Sequence, residues 1–292
     1  MEQIYPLLKL ARPHQWIKNL FLFIPIFFAG EIFELNKVLI LFFGFLSFCL
    51  VSSSVYVLND FKDIESDRMH PTKKDRPLAS GKVKPQIALA MMVAFALVGL
   101  LMSYNINKAF FFLLSSYLAL NIFYSLGLKN VSILDILIVA IGFVLRTVAG
   151  GIIANVYISH WLIIMIFLLS LFLVLAKRRE DMLQFVLSGK ALRKSTENYS
   201  MDFINLSLTM IAGVIVVAYI MYTVSPEVTD RLHTHNLYIT SIFVIVGVLR
   251  YMQITLVENK SGSPVKILYS DTFIHITLLA WILSFFLIIY LN

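Results

Sequence analysis

The chain carries little charge and almost no cysteine. Charged residues make up 14% of its 292 residues, whereas soluble domains average roughly 25%. So few charges cannot cover a surface that faces water, which excludes a soluble globular protein. The single cysteine, Cys49, excludes an internal disulfide and a thiolate metal cluster. We find no glycine-rich phosphate loop, low-complexity segment or strong repeat.

Long apolar blocks dominate the rest of the sequence, in which 59% of residues are hydrophobic. Blocks of about 17 to 23 residues are long enough to cross the roughly 30 Å hydrocarbon core of a bilayer as helices. We therefore predict one all-α integral membrane domain over residues 1–292, with its first helix retained rather than cleaved as a signal peptide. The nine predicted transmembrane helices cover residues 17–33, 36–58, 86–104, 109–126, 133–154, 159–176, 202–223, 237–257 and 271–290.

The distribution of Lys and Arg predicts the orientation of these helices. With the N-terminus on side one, 19 of the 24 basic residues lie on that side and three lie on the other. Loops on the cytoplasmic side collect Lys and Arg, so the N-terminus is predicted to be cytoplasmic and the protein to lie in the inner membrane. The net charge of +7 then reflects topology and gives no reason to expect a nucleic-acid partner.

The segment after the second predicted helix is rich in acids. If that helix continues, Asp60, Asp63 and Asp67 fall at i, i+3 and i+7 and share one face. Three carboxylates repel one another unless cations lie between them, and oxygen-only ligands favour Mg²⁺ bound together with substrate phosphates. The pattern predicts a diphosphate held through Mg²⁺ at these catalytic and metal-binding residues, with Asn59 as a polar support.

A basic segment follows the acids. Lys73, Lys74 and Arg76 can meet phosphate oxygens directly. The alternative is a solvated cytoplasmic loop that only follows the positive-inside rule. The full string from Asn59 to Gly81, NDxxDxxxD followed by basic residues and Arg-Pro, resembles the first motif of the UbiA-type transferases. That resemblance implies nine membrane helices around a central cavity and a Mg²⁺-dependent transferase reaction, in most members prenyl transfer to an aromatic acceptor.

Segments along the whole chain resemble one branch of that superfamily, the polyprenyl-phosphate (decaprenyl-phosphate) phosphoribosyltransferases of cell-wall synthesis. They are RPHQWIKN (12–19), YSLGLK (124–129), GFVLRTVAGG (142–151), KRRED (177–181), SGSP (261–264) and YSD (269–271). The resemblance implies phosphoribosyl pyrophosphate as the donor and a polyprenyl phosphate as the acceptor. It also makes Lys18, Tyr124, Lys129 and Asp271 candidate substrate-binding residues.

The loop after the sixth predicted helix separates this branch from prenyl-diphosphate enzymes. Those enzymes usually carry a second Asp-x-x-x-Asp there, whereas this chain has Lys177, Arg178, Arg179, Glu180 and Asp181. Adjacent residues on a helix point about 100° apart and share a metal poorly. We predict that Lys177, Arg178 and Glu180 bind substrate, and the open alternative is that the basic residues only anchor the helix at lipid headgroups.

Arg146 lies about ten residues inside the fifth predicted helix. A charge at that depth is costly and usually functional, so we predict that Arg146 binds phosphate, with a structural ion pair as the alternative. Asp135 lies eleven residues earlier on the same face, and its role stays open. Arg250 and Tyr251, near the end of the eighth predicted helix, are further candidates for contact with a phosphosugar, against a snorkelling arginine.

The sequence thus predicts transfer of 5-phosphoribose to a polyprenyl phosphate with release of diphosphate. An acceptor phosphate is already ionised at pH 7, so positioning replaces a strong general base, and the six histidines form no metal set. One alternative is a prenyltransferase that uses the same metal site and an apolar acceptor pocket. Another is a transporter, which would bury acids in mid-span. A homo-oligomer is compatible with the sequence, which does not specify one.

Overall fold

The computed structural model describes residues 4–69, 73–189, 194–260, 267 and 270–291. Within these ranges the secondary structure is helical throughout. The α-helices are α1 Ile4–Ala11, α2 Ile24–Phe28, α3 Leu35–Lys62, α4 Ile64–Arg68, α5 Pro85–Ile106, α6 Lys108–Leu126, α7 Leu134–Ala154, α8 His160–Ser188, α9 Met201–Val224, α10 Pro226–Leu232, α11 Ser241–Leu256 and α12 Thr272–Tyr290. The motif positions 70–72, 261–264 and 269 lie outside the described residues.

Eight of these helices are long and apolar enough to cross a membrane. They are α3, α5, α6, α7, α8, α9, α12 and α11 extended by the 3-10 turn Leu237–Thr240. They coincide with the second to ninth helices predicted from the sequence, so the all-helical membrane fold is confirmed. Helices α3 and α8 have 28 and 29 residues, or about 42 Å each at 1.5 Å per residue, which exceeds the bilayer core by about two turns.

The first predicted membrane helix, 17–33, takes a different form. The chain builds a 3-10 helix over Pro13–Phe23 and then the five-residue α2. Pro25 explains the end of the 3-10 stretch, because proline has no N–H with which to continue a helix. At about 2.0 Å per residue in the 3-10 part and 1.5 Å in α2, this segment is still about 30 Å long.

The chain divides into two compact units. Unit 1 comprises Met1–Leu128 and Leu145–Tyr157, and unit 2 comprises Lys129–Val144 and Ile158–Asn292. Helix α7 contributes its first half to unit 2 and its second half to unit 1.

Unit 1 is built on α3, which packs against α5, α6 and the 3-10 segment. Small residues allow the closest contacts. The Ser47 hydroxyl donates to the Gly99 carbonyl at 2.7 Å, and Gly150 in α7 lies directly against the backbone of Leu22. The apolar core of unit 1 includes Phe48, Phe110 and other buried side chains of these elements. Close backbone approach of this kind is the usual way in which membrane helices associate.

Unit 2 is built on α8, α9, α11 and α12. Its apolar core includes Phe172, Leu175, Ile204 and Leu208, all of them buried. Near the far end of α9, the Tyr219 hydroxyl hydrogen-bonds Thr240 at 2.7 Å and accepts from the Trp281 indole at 2.7 Å. These bonds satisfy polar groups that lie among apolar helices, where water is absent.

The contact between Gly150 and Leu22 can be tested by a matched pair of glycine substitutions. A methyl group at Gly150 would lie 1.9 Å from the Leu22 carbonyl oxygen, whereas one at Gly213 in α9 would meet nothing within 4 Å. Gly150→Ala should therefore destabilise the protein by about 2 kcal/mol or more. Gly213→Ala should be neutral or stabilising by up to about 1 kcal/mol, since alanine is the better helix former.

The measurement is thermal unfolding in detergent, followed by circular dichroism. Equal unfolding midpoints for the two variants would contradict the proposed close approach.

Candidate active site

A carboxylate cluster lies where α3 ends in unit 1. Asp60 and Asp67 are each 3% exposed, and Arg76 Nη1 donates to both, at 3.1 Å from Asp60 Oδ1 and 2.6 Å from Asp67 Oδ2. Arg12 Nη2 donates to the same oxygen of Asp60. Two of the three predicted acids therefore converge on one cation. Ion pairs stabilise such buried carboxylates, which would otherwise be costly to desolvate.

Asp63 lies at a break that the sequence analysis did not predict. The helix does not run on through the acids: α3 ends at Lys62, Asp63 has φ −96° and ψ 9°, and α4 starts at Ile64. The turn is closed by a hydrogen bond from the Asp67 N–H to the Asp63 carbonyl at 2.7 Å. Asp63 is half-buried, and the expectation of one continuous helical face was wrong.

The donor chemistry of this cluster suits a hard divalent cation, although a guanidinium group lies in it. Carboxylate oxygens are the ligands that Mg²⁺ prefers, and the shared Arg76 nitrogen shows that Asp60 and Asp67 reach a common cation. Within the described ranges no three His, Cys, Asp or Glu side chains converge to hold a metal ion. The cluster fits a metal ion that carboxylates of the protein would hold together with substrate phosphates.

Asn59 is fixed by the end of α6. Its Oδ1 accepts from the Ser125 hydroxyl at 2.6 Å, and Lys62 Nζ donates to the Ser125 carbonyl at 3.1 Å. These two bonds fasten the last turn of α3, which carries Asp60, to the last turn of α6. The polar support of the metal site predicted for Asn59 stays a prediction. Tyr124, the neighbour of Ser125, is half-buried.

Arg146 is buried in unit 1 and donates to two neutral side chains there. Its Nε donates to Asn19 Oδ1 at 2.8 Å and its Nη2 donates to the Tyr117 hydroxyl at 2.8 Å. The guanidinium carbon lies 5.1 Å from the Phe48 ring centroid and 4.8 Å from that of Tyr117. A cation over aromatic rings gains electrostatic stabilisation that is strongest where water is excluded. The phosphate contact predicted for Arg146 remains a proposal.

Asn19 extends this arrangement to α3. Its Nδ2 donates to Cys49 Sγ and to Ser52 Oγ, each at 3.2 Å. One turn earlier in the 3-10 segment, Trp16 Nε1 donates to Ser53 Oγ at 3.0 Å. These bonds hold the 3-10 segment against α3, and the segment carries Lys18, which is half-buried.

Unit 2 contains a buried charge network around Asp135. Asp135 is 0% exposed and accepts from Arg178 Nε at 2.7 Å, from the Tyr199 hydroxyl at 2.7 Å and from the Ser195 hydroxyl at 3.1 Å. Arg178 also bonds Asp181 at 2.6 Å. The network joins the first turn of α7, the end of α8 and the segment before α9, which makes it a structural centre of unit 2.

Tyr199 links this network to a strained turn. Burial raises the pKa of the Tyr199 hydroxyl, so it stays protonated and donates to Asp135. Its oxygen accepts from the Ile133 N–H at 2.6 Å, and Ile133 has φ +69°, a left-handed conformation that a β-branched residue rarely adopts. The hydrogen bond helps to hold that conformation at the start of α7.

The residues of the KRRED segment separate in the structure. Arg178 is 2% exposed and serves as the partner of Asp135, and the substrate-binding role predicted for it stays a prediction. Arg179 is also buried and donates to Asn205 Oδ1 at 2.9 Å and to the Thr255 carbonyl at 2.7 Å. Lys177 is exposed. Glu180 has one buried carboxylate oxygen with no hydrogen-bond partner.

The remaining predicted residues include an ion pair that links α11 to the start of α12. Arg250 pairs with Asp271 at 2.6 Å and with Glu258 at 2.9 Å. The Arg250 hydrogen bond holds the pKa of Asp271 below its usual range, so Asp271 is ionised at neutral pH and also caps α12 through the Ile274 N–H at 2.9 Å. Lys73 and Lys129 are half-buried. Arg250 thus forms ion pairs within the protein, in place of the snorkelling arrangement that was its alternative.

Sequence reasoning did not assign roles to several residues that complete these clusters: Arg12, Asn19, Lys62, Tyr117, Ser125, Asp181, Ser195, Tyr199 and Asn205. Arg12 and Asn19 lie in the RPHQWIKN segment, whose only signal in the sequence is its family resemblance. Tyr117 and Tyr199 carry no motif, because their partners are 29 and 64 residues away in the chain. An aromatic residue of this kind is identified only once the fold is known.

Comparisons with known proteins agree with this picture. Residues 20–190 match the model of the UbiA prenyltransferase family. The decaprenyl-phosphate phosphoribosyltransferase of Mycolicibacterium smegmatis is 33% identical over 94% of this chain and 90% of its own length. The enzyme of the same name from Corynebacterium glutamicum is 30% identical over 98% of this chain and 87% of its own length.

Solved structures share the fold. A UbiA homologue from Archaeoglobus fulgidus bound to GPP and Mg²⁺ superimposes with a TM-score of 0.70 at 20% identity, covering 97% of this chain and 99% of that chain. A UbiA homologue from Aeropyrum pernix superimposes with a TM-score of 0.67 at 13% identity, covering 91% and 97%.

The structural role of Arg178 can be tested against its exposed neighbour. Arg178→Met should destabilise the protein by about 3 to 5 kcal/mol, because Asp135 and Asp181 would then be left as buried charges without their cation. Lys177→Met should change stability by less than about 0.5 kcal/mol. The measurement is the thermal unfolding midpoint in detergent for both variants. A small effect of Arg178→Met would contradict the network described here.

Proposed function

The chain belongs to the UbiA prenyltransferase family of membrane transferases, and we propose that it moves 5-phosphoribose from phosphoribosyl pyrophosphate to a polyprenyl phosphate. The observation that carries this proposal is the similarity to enzymes named decaprenyl-phosphate phosphoribosyltransferase over nearly the full chain. With 94% and 98% of the chain covered, the similarity extends through both units. In this reaction the ribose C1–O bond to diphosphate breaks, the acceptor phosphate oxygen bonds C1, and diphosphate leaves.

The carboxylate cluster supports a Mg²⁺-dependent donor site. Asp60 and Asp67, with Asp63 at the turn between them, would hold the ion. When bound, Mg²⁺ would neutralise the charge that builds on the leaving diphosphate. Arg76 and Lys73 follow on the adjacent loop, and their positive charges would orient the diphosphate oxygens. Ion pairing of Asp60 with Arg12 and Arg76 fixes its carboxylate in place.

The acceptor needs orientation more than deprotonation. A phosphate monoester is ionised at neutral pH, so holding it in line with the ribose C1 supplies much of the rate. Accordingly, the groups gathered around Asp60, Asp135 and Arg146 are carboxylates, guanidinium groups, amides and hydroxyls. We assign Lys18, Lys129, Arg146 and Lys177 to the phosphates of the two substrates, and Tyr124, Glu180 and Asp271 to the ribose.

A prenyltransferase reaction is the second candidate. Similar folds have been solved with the prenyl diphosphates GPP and DMAPP together with Mg²⁺. The same carboxylates would then hold a prenyl diphosphate, and the acceptor would be an uncharged ring or alcohol. The two reactions differ in what the basic residues would bind. Only phosphoribosyl transfer to a lipid phosphate has a second anionic substrate, whose phosphate those residues would contact.

We also propose a topology with nine crossings, a cytoplasmic N-terminus and one functional domain made of both units. The segment Pro13–Phe28 is about 30 Å long. That length is enough for one crossing in addition to those of the eight long helices. With this orientation the carboxylate cluster and the ends of α8 and α11 lie on the cytoplasmic side of the inner membrane.

Cysteine labelling tests the topology. Cys49 is the only cysteine and is buried, so Cys49→Ser gives a cysteine-free background. We expect an impermeant maleimide added to intact cells to label Leu35→Cys and to leave Tyr5→Cys and Met69→Cys unlabelled until the membrane is opened. All three positions are exposed. Labelling of Tyr5→Cys and Leu35→Cys from the same side would contradict a crossing by Pro13–Phe28.

The activity itself is tested with the purified chain in detergent, Mg²⁺, phosphoribosyl pyrophosphate and a polyprenyl phosphate. Mass spectrometry of the lipid should show the added phosphoribosyl group, together with released diphosphate. Asp60→Asn and Asp67→Asn should reduce the rate at least about a hundredfold. Glu65→Gln, an exposed acid in the same segment, is the matched control and should retain activity.

A different choice of substrate would overturn the proposed reaction. Turnover of a prenyl diphosphate with an uncharged acceptor, and none with phosphoribosyl pyrophosphate, would replace this proposal by the prenyltransferase reaction. Chelation of divalent ions should abolish either reaction, and addition of Mg²⁺ should restore it.

A further inference from the structure

Ser125 joins the end of α6 to the end of α3, where the acids of the carboxylate cluster begin. Its side chain is buried, at 2% exposure, and its Oγ lies 2.6 Å from Asn59 Oδ1 and 2.8 Å from the Asn121 carbonyl of its own helix. A second bond joins the same two turns, from Lys62 Nζ to the Ser125 carbonyl at 3.1 Å. The partners in α3 are 66 and 63 residues away in the chain, so these tertiary contacts hold one helix end against the other.

Asn59 connects Ser125 to the acids through its backbone. The Asp63 N–H donates to the Asn59 carbonyl at 3.0 Å and closes the last turn of α3. The Asp67 N–H donates in turn to the Asp63 carbonyl at 2.7 Å and closes the turn into α4. Asp60 follows Asn59 directly in the same helical turn. A chain of hydrogen bonds thus leads from Ser125 through Asn59 to the turns that carry all three acids.

The end of α3 needs a restraint because the last carbonyl groups of a helix have no partners within it. Helix ends therefore fray, and α3 breaks at Asp63, whose φ of −96° and ψ of 9° are not helical. A binding site tolerates little movement of this kind, since its groups must be held within about 0.5 Å of the productive arrangement. The bond from Ser125, a buried side chain of a helix that packs against α3, restricts that movement.

We propose that Ser125 is a positioning residue. It acts through Asn59 to hold the carboxylate cluster in one arrangement, and it touches neither metal nor substrate itself. This role deepens the proposed function and rests on it for the metal ion that the cluster binds. The Asn59 side chain then serves to fix the end of α3 and is not needed as a further metal ligand.

Hydrogen exchange tests the restraint without metal or substrate. In the full chain in detergent, followed by mass spectrometry, the amides of Asp63 and Asp67 should exchange about threefold to tenfold faster in Ser125→Ala, because one hydrogen bond is lost. Ser116→Ala is the matched control and should leave these amides unchanged. Ser116 lies on the same helix, is exposed, and makes the same bond to the carbonyl four residues earlier, at 2.9 Å from Phe112.

Metal affinity tests what the restraint does for the site. The probe is Mn²⁺, titrated together with inorganic diphosphate into the full chain and followed by electron paramagnetic resonance. Ser125→Ala should weaken Mn²⁺ binding about threefold to tenfold. Ser125→Thr, which keeps the hydroxyl, should restore most of the affinity, and Ser116→Ala should bind as the parent does. A merely structural serine would lower the unfolding midpoint and leave the Mn²⁺ affinity unchanged.

A double-mutant cycle separates positioning by Asn59 from ligation by Asn59. If Asn59 acts only through its bond to Ser125, then Asn59→Ala, Ser125→Ala and the double variant should weaken Mn²⁺ binding by the same factor. A larger loss in Asn59→Ala than in Ser125→Ala would overturn the role assigned to Asn59. Because Asn59→Ala breaks the same bond from the α3 side, it also carries the exchange test if Ser125→Ala does not fold.

The outcomes distinguish this role from the proposed function. Unchanged amide exchange in folded Ser125→Ala would refute the restraint, and faster exchange with unchanged Mn²⁺ affinity would refute its role in the metal site. A parent chain that binds no Mn²⁺ would overturn the metal site itself, and the role of Ser125 there with it. A parent chain that binds Mn²⁺ but transfers no phosphoribose would overturn the reaction alone, and the positioning role would still be decided by exchange and affinity.

Discussion

A charge placed within membrane helices must find protein groups to replace the water that it loses, and this requirement organises both units. In unit 2, Asp135 is surrounded by Arg178, Tyr199 and Ser195, and these partners come from α8 and the segment before α9. In unit 1, Arg146 is bound by Asn19 and Tyr117. The partners of each charge come from several helices and segments. They stabilise the charge, and their bonds to it fix how those elements pack.

The membrane helices could be predicted from the sequence because hydropathy over about 20 residues is a strong and local signal. Eight predicted helices recur with small shifts in their ends. The first did not recur as an α-helix. Pro25 and the hydrogen bonds of Trp16 and Asn19 to α3 determine its conformation, and the latter depend on tertiary contacts that no window of sequence contains.

The acids of the candidate site were predicted for a similar reason, since their spacing on one helix is local information. The break at Asp63 and the bridge formed by Arg76 were not predicted, because they depend on how the following loop folds back. The same limit applies to Arg178. In the sequence it is one of three consecutive basic residues, and only the position of Asp135, 43 residues earlier, determines that it points inward while Lys177 stays exposed.

Helix length explains why the polar chemistry lies where it does. Helices α3 and α8 are each about 42 Å long, whereas the hydrocarbon core needs about 30 Å. The excess of about two turns can carry charged residues without placing them among lipid chains. In α3 these turns hold Asn59 and Asp60, and in α8 they begin near Glu180 and Asp181. A transferase that joins a water-soluble donor to a membrane lipid needs such a zone, because the donor cannot enter the hydrocarbon and the lipid phosphate does not leave its edge.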